Sequence, residues 1–193
     1  MSKIVLFMSV SLDGYFEGPD RDISWNRVDE EVHRYLNAVL GSMAGLVSGR
    51  VTHELLADFW PTADRDPAAE PWTAEFARIW REMPKTVFSR TLRQADWNTT
   101  VLPEATPEAV AALKAAAGGD LALGGAGLAA SLRAHGLVDE YHLLVHPVLL
   151  GRGRPLFPAD GVPEDLELLT TRAFGNGVVL LRYARAAVRG ANP

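Results

Sequence analysis

The chain has 193 residues, of which 48% are hydrophobic and 22% charged, and its formal net charge is −5. These values are typical of one globular domain with a substantial core. Binding to nucleic acid is disfavoured, because it needs clustered Lys and Arg and the chain has no basic block. The lack of cysteine excludes disulfides, thiolate metal sites and cysteine nucleophiles. No run approaches the roughly 20 apolar residues that span a bilayer, so we expect a cytoplasmic protein without a membrane partner.

Apolar runs alternate with segments of helical periodicity through the first half of the chain. Residues 3–10 are a continuous apolar run with β-branched residues, which is typical of a strand buried on both faces. Asp29 stands where the N-cap or first-turn acid of a helix is expected. The sequence further predicts a polar loop at 15–25, helices at 29–40, 51–59 and 73–82, a loop at 61–71, and strands at 45–48 and 85–89.

The second half continues this alternation and ends in a hairpin. The pattern predicts strands at 99–102, 121–123 and 139–148. It also predicts a helix at 108–117, a second helix after the glycines at 124–127, and a loop at 151–154. The pair Asn176-Gly177 between two apolar runs indicates a hairpin. We therefore predict an α/β fold with helices on both faces of a mixed, mostly parallel sheet, closed by a C-terminal antiparallel hairpin. Residues 1–185 are expected to form one domain and 186–193 a frayed tail.

The stretch around Gly124-Gly125-Ala126-Gly127 is the most informative in the chain. A short apolar run precedes these residues and an apolar-periodic helix follows directly. The free N–H groups and positive dipole end of such a helix bind anions, and glycines let a phosphate approach the backbone. Glycines also serve as a purely structural turn between strand and helix, so two interpretations stay open.

Two other predicted strand ends carry groups that suit phosphate. Gly49-Arg50-Val51-Thr52 combines a glycine, a cation and a hydroxyl at a helix start, and Ser89-Arg90 lies just beyond a later strand. Ligands of open α/β sheets bind at the carboxyl ends of the strands, so we expect these groups to converge on a bis-phosphate ligand. Neither the Rossmann Gly-x-Gly-x-x-Gly spacing nor a Walker A loop is present. The alternative is that the hydroxyls cap backbone groups and the arginines form surface ion pairs.

Six motifs in register carry a resemblance to a known superfamily. They are Ser9-Val10-Ser11-Leu12-Asp13-Gly14, Gly49-Arg50-Val51-Thr52-His53-Glu54, Ser89-Arg90-Thr91-Leu92, Gly124-Gly125-Ala126-Gly127-Leu128, Gly136-Leu137-Val138-Asp139-Glu140 and the segment 147–157. From about Ile4 to about Tyr183 the chain resembles the dihydrofolate-reductase-like superfamily. It is most similar to the reductase domain of bifunctional riboflavin-biosynthesis proteins (the RibD C-terminal type) and its stand-alone relatives.

The resemblance implies a three-layer α/β/α fold and a reductase that uses NADPH. In that family three cofactor segments contact NADPH. The segment that matches Gly49-Arg50-Val51-Thr52 contacts the phosphates, and the segment that matches Ser89-Arg90 contacts the adenosine 2′-phosphate side. The segment that matches Gly124 to Leu128 covers the pyrophosphate and nicotinamide. The cofactor-binding residues implied in this chain are Gly49, Arg50, Thr52, Ser89, Arg90, Gly124, Gly125, Ala126, Gly127 and Leu128. A homodimer is expected from the family, with the strand at 139–148 as the candidate interface. No metal site is predicted.

The segment that matches Ser11 to Tyr15 borders the nicotinamide and substrate in the family. We predict Asp13 as the catalytic residue that orients or protonates the substrate, although turn formation alone explains an Asp-Gly pair. A held water can deliver the proton instead. The predicted substrate-binding residues are Ser11, Tyr15, Trp25 and Glu30. Core packing is an equal alternative for the tryptophan, and a solvated first-turn position is the alternative for the glutamate.

The function predicted is hydride transfer from NADPH to a small flat nitrogen heterocycle, similar to 5-amino-6-(5-phosphoribosylamino)uracil reductase of riboflavin biosynthesis. Two departures bear on the substrate. Riboflavin reductases often have Glu before the Gly-Gly pair, where this chain has Leu123, and they usually carry a zinc deaminase domain with Cys ligands. The alternatives are a dihydrofolate reductase with a buried carboxylate from residues 29–31, an NADPH-binding module without turnover, and a homodimeric interaction protein.

Overall fold

A computed structural model describes residues 2–158, 161 and 163–186. The strands are β1 (Ile4–Ser11), β2 (Tyr15–Glu17), β3 (Gly45–Gly49), β4 (Lys85–Phe88), β5 (Thr99–Leu102), β6 (Leu121–Gly124), β7 (Glu140–His146), β8 (Arg154–Pro155), β9 (Leu166–Ala173) and β10 (Val179–Arg185). The helices are α1 (Glu30–Gly41), α2 (Arg50–Phe59), α3 (Pro71–Glu82), α4 (Pro107–Ala116) and α5 (Ala126–Ala134). The predicted frayed tail falls almost wholly on 187–193, which lie outside the described residues.

Eight of the strands form one mixed sheet in the order β5-β4-β3-β6-β1-β7-β10-β9. Neighbours from β5 to β7 pair in parallel, whereas β10 pairs antiparallel with both β7 and β9. The hairpin turn between β9 and β10 contains Gly177, whose φ of 86° is the left-handed conformation that glycine adopts without strain. The predicted parallel sheet with a C-terminal antiparallel hairpin is therefore confirmed.

Helices cover both faces of this sheet, because successive strand residues point to opposite sides. On one face Leu6 packs with Val110 of α4 and Leu132 of α5 in the larger apolar core. On the other face Leu144 packs with Val32 of α1. Helix α3 lies beside α1. Full burial of each of these aliphatic side chains contributes about 1.5–3 kcal/mol, and the three-layer α/β/α arrangement predicted from the resemblance is confirmed.

The three predicted loops are wrong in part, because each contains short regular structure. Tyr15–Glu17 forms β2, which pairs antiparallel with β8 in the predicted loop at 151–154. Pro19–Arg21 and Trp60–Arg65 form 3-10 turns in the other loop segments. The β2–β8 pair joins chain segments far apart in sequence through two or three residues each, so no local periodicity could mark it.

The sheet opens at the carboxyl end of β1. Pairing of β1 with β6 ends at Leu6 and Leu123, but pairing of β1 with β7 continues to Ser11 and His146. The chain leaves β6 at Gly124 and turns into α5, so β1 runs on beyond this neighbour. Ligands of open α/β sheets bind at such carboxyl-end crevices. Among the helices of the described ranges, none is long and apolar enough to cross a membrane.

Candidate active site

The three predicted cofactor segments lie side by side at the carboxyl edge of the sheet. Strands β4, β3 and β6 are adjacent and parallel, with Gly49 opposite Phe88 and Ser48 opposite Gly124. Their ends lead directly into Ser89, into α2 and into the glycine turn. The fold thus brings together the segments that the sequence placed some 35–40 residues apart along the chain.

Helices α2 and α5 begin in contact with each other. A Cβ at Gly124 would lie 3.6 Å from Thr52 Cγ2, and a Cβ at Gly125 would collide with Thr52 Oγ1. Gly125 also has a φ of 95°, which side-chain-bearing residues rarely adopt. Gly125 is therefore required by the turn itself, whether or not a ligand binds there.

Gly127 has no such structural reason. It lies in the first turn of α5, and a Cβ built on it would meet nothing within 4 Å. Glycine in a helix costs about 1 kcal/mol relative to alanine, and none of the packing in the described part of the chain offsets that cost. The first turn of α5 is therefore open to solvent at this position.

The starts of α2 and α5 lack side-chain caps. Their N-caps are Gly49 and Gly125, and neither first turn contains an acidic residue. By contrast, Asp29 accepts a hydrogen bond from the Val32 N–H at the start of α1, as the sequence predicts. The first N–H groups of a helix have no intrahelical acceptors and carry partial positive charge. Two adjacent uncapped starts form a surface that suits a bis-phosphate group.

The two predicted arginines are exposed beside this surface. Arg50 pairs with Glu54 at 2.7 Å, within one turn of α2. Exposed pairs of this kind contribute only about 0.3–0.5 kcal/mol, so an anionic ligand competes easily for the guanidinium. Arg90 is exposed, and no ion pair between it and the described residues is present. Ser89 Oγ accepts from the backbone N–H groups of Thr91 and Leu92 at 3.2 and 3.0 Å, and it lies 3.4 Å from Thr91 Oγ1, where either hydroxyl can donate.

Asp13 is bound tightly by its own surroundings. Ser11 Oγ donates to Oδ1 at 2.6 Å, and the backbone N–H groups of Leu150 and Gly151 donate at 3.1 and 2.7 Å. The hydrogen bond from Ser11, followed by those from the backbone, lowers the pKa of Asp13 below its usual value. An ionised carboxylate that accepts these three hydrogen bonds ties the turn after β1 to the loop after β7. Its surroundings suit it poorly for proton donation, and its catalytic role stays a prediction.

The predicted substrate residues occupy different environments. Tyr15 opens β2, and its N–H donates to Ser11 Oγ at 2.9 Å. The ring of Trp25 meets the ring of His146 edge-on, with 5.4 Å between centroids. Glu30 is exposed in the first turn of α1 and pairs with Arg34 at 2.7 Å. The structure therefore brings Ser11 and Tyr15 together but leaves the Glu30 carboxylate in solvent.

His146 is a residue of this site that the sequence predictions missed. It ends β7 opposite Ser11, is fully buried, and accepts the Arg27 N–H at Nδ1 over 2.9 Å. Burial, together with the charge of Arg27, lowers its pKa to about 4, so the ring is neutral. A lone strand histidine carries no sequence signal for such a position. No cluster of three or more potential metal ligands occurs among the described residues.

Fold and site together define a dihydrofolate-reductase-like protein. The family model of the RibD C-terminal domain matches residues 2–180. The chain therefore belongs to the RibD C-terminal domain family, a reductase family of the riboflavin-pathway type.

Relatives of known sequence or structure agree with this assignment. The uncharacterized protein YyaP of Bacillus subtilis is 33% identical over 183 residues, which cover 94% of each chain. A Shewanella sp. PV-4 protein, provisionally assigned to riboflavin biosynthesis, has a TM-score of 0.74 at 21% identity and covers 96% of this chain and 99% of its own. The deaminase/5-amino-6-(5-phosphoribosylamino)uracil reductase of Thermotoga maritima has a TM-score of 0.64 at 12% identity. That match covers 96% of this chain but only 57% of the Thermotoga protein.

Proposed function

We propose that this protein is an NADPH-dependent reductase that transfers a hydride to a small flat nitrogen heterocycle. The observation that carries the proposal is the pair of uncapped, glycine-led helix starts at α2 and α5, with the open approach at Gly127. A dinucleotide is the cofactor type whose two linked phosphates match two adjacent sets of backbone donors.

Each part of the cofactor segment has a distinct task in this proposal. The N–H groups of the first turn of α5 hold the pyrophosphate, and Arg50 neutralises its charge through the planar guanidinium. Ser89 and Arg90 receive the 2′-phosphate that distinguishes NADPH from NADH. NADPH supplies the hydride, and the protein binds and orients it. A held water gives the proton, because Asp13 is stabilised as an anion.

The proposed substrate class rests on the family assignment and on the absence of a carboxylate that riboflavin reductases often have. Leu123 stands where riboflavin reductases often have Glu, and its side chain is fully buried in the apolar core. A ring of the aminouracil type remains the first choice, without a contact from this position. A dihydrofolate reductase would need a buried carboxylate from residues 29–31. All three are exposed, and Asp29 is occupied as a helix cap, which disfavours that alternative.

Thermal denaturation in the presence of NADPH or NADH tests whether the protein binds the proposed cofactor. A ligand at 100 times its Kd stabilises a protein by about 2.7 kcal/mol, which raises the midpoint clearly. We expect a larger rise with NADPH than with NADH, and Arg90→Glu should remove that preference. Arg50→Glu should abolish most of the rise. Arg78→Glu is the matched control, since Arg78 forms the same exposed pair with Glu82 on α3. No rise with either nucleotide would refute the proposal.

Turnover separates an enzyme from a binding module. We expect loss of NADPH absorbance when 5-amino-6-(5-phosphoribosylamino)uracil or a related aminouracil is added, with incorporation of hydride from deuterated NADPH into the product. Binding of NADPH without turnover across a panel of aminouracils and pterins would favour the non-catalytic alternative.

A homodimer is also part of the proposal. Strand β7 is paired on both edges, so it can offer a partner only its face. The edge strands of the sheet are β5 and β9. The eight residues of β9 are all exposed and include Leu166, Leu168 and Leu169. Exposed apolar strands of this kind mark interaction surfaces. Light scattering should give twice the monomer mass, and L168E should halve it.

A further inference from the structure

A cavity of about 340 Å³ lies between α2 and the loop that follows β4. This volume is within the range of small-molecule sites, and none of the residues predicted to bind cofactor or substrate lines the cavity. We call it the α2 cavity. Its α2 wall includes His53, Glu54 and Asp58, and its loop wall includes Leu92, Asp96 and Trp97.

The charged side chains that line the α2 cavity are acidic. Glu54 and Asp58 lie one turn apart on α2, and Asp96 lies on the loop wall. Glu54 pairs with Arg50, whereas neither aspartate has an ion pair or side-chain hydrogen bond within the described ranges. Arg93 belongs to the same loop but does not line the cavity. Two unpaired carboxylates on different walls attract a ligand with a positive charge at each end.

His53 provides a second, independent observation that points to a ligand. The residue is only 5% exposed. Its ring nitrogens have no hydrogen bond within the described part of the chain, and neither is among the fully buried unpaired atoms. Both nitrogens therefore remain accessible from the cavity that the side chain lines. Burial, followed by the charge of Lys85, lowers the pKa of His53, so the neutral ring has one nitrogen that can accept a hydrogen bond.

Trp97 supplies an aromatic surface on the loop wall. It is 39% exposed and has a φ of 63°, a conformation that is rare for a bulky residue and stores strain. Asn98 fixes this part of the loop, because its Nδ2 donates to the Glu82 carbonyl at 2.9 Å and its carbonyl accepts the Lys85 N–H at 2.8 Å. Aromatic faces attract organic cations. A metal ion suits the cavity less well, since no cluster of three potential metal ligands occurs among the described residues.

We propose that the α2 cavity binds a short aliphatic diamine, whose two ammonium groups pair with Asp58 and Asp96 and one of which donates an N–H to His53. The methylene stem packs between Leu92 and the ring of Trp97. This site lies outside the proposed cofactor and substrate site, and its occupation does not depend on the proposed function.

Two chemical features of the ligand follow from this arrangement. An amine with one ammonium group leaves one of the two aspartates unpaired. A fully methylated diamine keeps both charges and the attraction to the aromatic face, but it has no N–H for His53. Sites that hydrogen-bond a ligand discriminate against analogues that lack the complementary group.

The test titrates the full-length protein with 1,4-diaminobutane in the absence of nucleotide. Nuclear magnetic resonance follows the His53 imidazole and the Trp97 indole, and calorimetry gives the affinity. We expect both resonances to shift and reach saturation. Butylamine, with one ammonium group, and the hexamethylated diamine should each bind at least about fivefold more weakly. Magnesium chloride at equal ionic strength should cause no saturable shift.

Asp58→Asn and Asp96→Asn should each reduce the affinity for the diamine to about that for butylamine. His53→Phe should remove the preference over the hexamethylated diamine. Glu104→Gln is the matched control, because Glu104 is an exposed carboxylate that does not line the cavity, and it should bind the diamine like the wild type.

Three results would overturn the inference: no saturable shift with 1,4-diaminobutane, equal affinity for the three amines, or equal effects of Asp58→Asn and Glu104→Gln. Circular dichroism checks that each variant folds. Asp58 and Asp96 are exposed, so their variants keep the test decisive if His53→Phe does not fold. Because NADPH is not part of the experiment, its outcome is independent of whether the protein is a reductase.

Discussion

The two halves of the candidate site are prepared for a ligand in opposite ways. The cofactor half offers exposed backbone donors at the starts of α2 and α5, with glycines at both N-caps. The substrate half relies on side chains. Asp13 accepts hydrogen bonds from three neighbours, whereas His146 and Asn26 keep one buried polar atom each without a partner.

This difference reflects the ligands that each half is proposed to bind. Phosphate groups are recognised by backbone dipoles that any sequence can provide, so the requirement falls on glycine and helix geometry. A heterocycle edge needs donors and acceptors in a fixed arrangement, which depends on individual polar groups of the pocket. Substitutions in the cofactor half should therefore affect stability and binding through the backbone. Substitutions in the substrate half should affect them through individual side-chain atoms.

The largest expected effect is the loss of stability in Gly125→Ala. The positive φ and the collision with Thr52 Oγ1 should lower the free energy of unfolding by about 3 kcal/mol. Thr52→Ala removes the hydroxyl but not the backbone strain. In a double-mutant cycle by chemical denaturation, it should recover about 1 kcal/mol or more of that loss. Strict additivity of the two substitutions would contradict the contact between the helix starts.

A comparable effect in the substrate half should appear only at acidic pH. Burial lowers the pKa of His146 to about 4 from an ordinary 6.5, so the unfolded chain binds a proton more readily than the folded one between these values. The folded state therefore keeps its full stability above pH 6.5 and loses about 3 kcal/mol as the pH falls to 4.

His146→Gln removes this titration while retaining an acceptor for the Arg27 N–H. Its free energy of unfolding should depend less on pH than that of the wild type between pH 6.5 and 4. His135→Gln is the control, because His135 is exposed after the last turn of α5. Equal pH dependence in the wild type and His146→Gln would contradict a neutral buried ring.

A smaller effect should distinguish capped from uncapped helices. Thr106 accepts a hydrogen bond from the Ala109 N–H at the start of α4, so Thr106→Ala should lower the free energy of unfolding by about 1 kcal/mol. The midpoint rise caused by NADPH should stay unchanged, because Thr106 belongs to none of the three predicted cofactor segments. A reduced NADPH response in this variant would show that the starts of α2 and α5 are not the specific site.

The smallest expected effect has opposite signs in stability and binding. Gly127→Ala should stabilise the free protein by up to about 1 kcal/mol through helix propensity, since its Cβ meets nothing. The same methyl group should weaken the binding of NADPH, because it blocks the approach of the cofactor to the first turn of α5. Gly41→Ala in α1 is the control, where the Cβ would lie 3.4 Å from Ile79 Cδ1. A stabilised variant with unchanged NADPH affinity would remove Gly127 from the cofactor site.

Most of the fold was predictable because its main elements have local causes. The apolar run of β1, the Asp29 cap of α1 and the turn at Gly177 each express a preference within a few residues. The strands β2 and β8 escaped prediction because their pairing depends on segments far apart in the chain. The proximity of the three predicted cofactor segments was predictable for a related reason, since adjacent parallel strands end at one common edge.

Sequence alone determined the alternation of strands and helices, the order of the three predicted cofactor segments and the resemblance that these motifs carry. Those features depend on periodicity, chain order and glycine, which are readable one segment at a time. Tertiary structure decided that Gly125 is required by the turn while Gly127 is not, that Asp13 accepts three hydrogen bonds, and that His146 is buried with an unpaired ring nitrogen. Burial and unpaired atoms depend on which distant segments meet, and no local pattern contains that information.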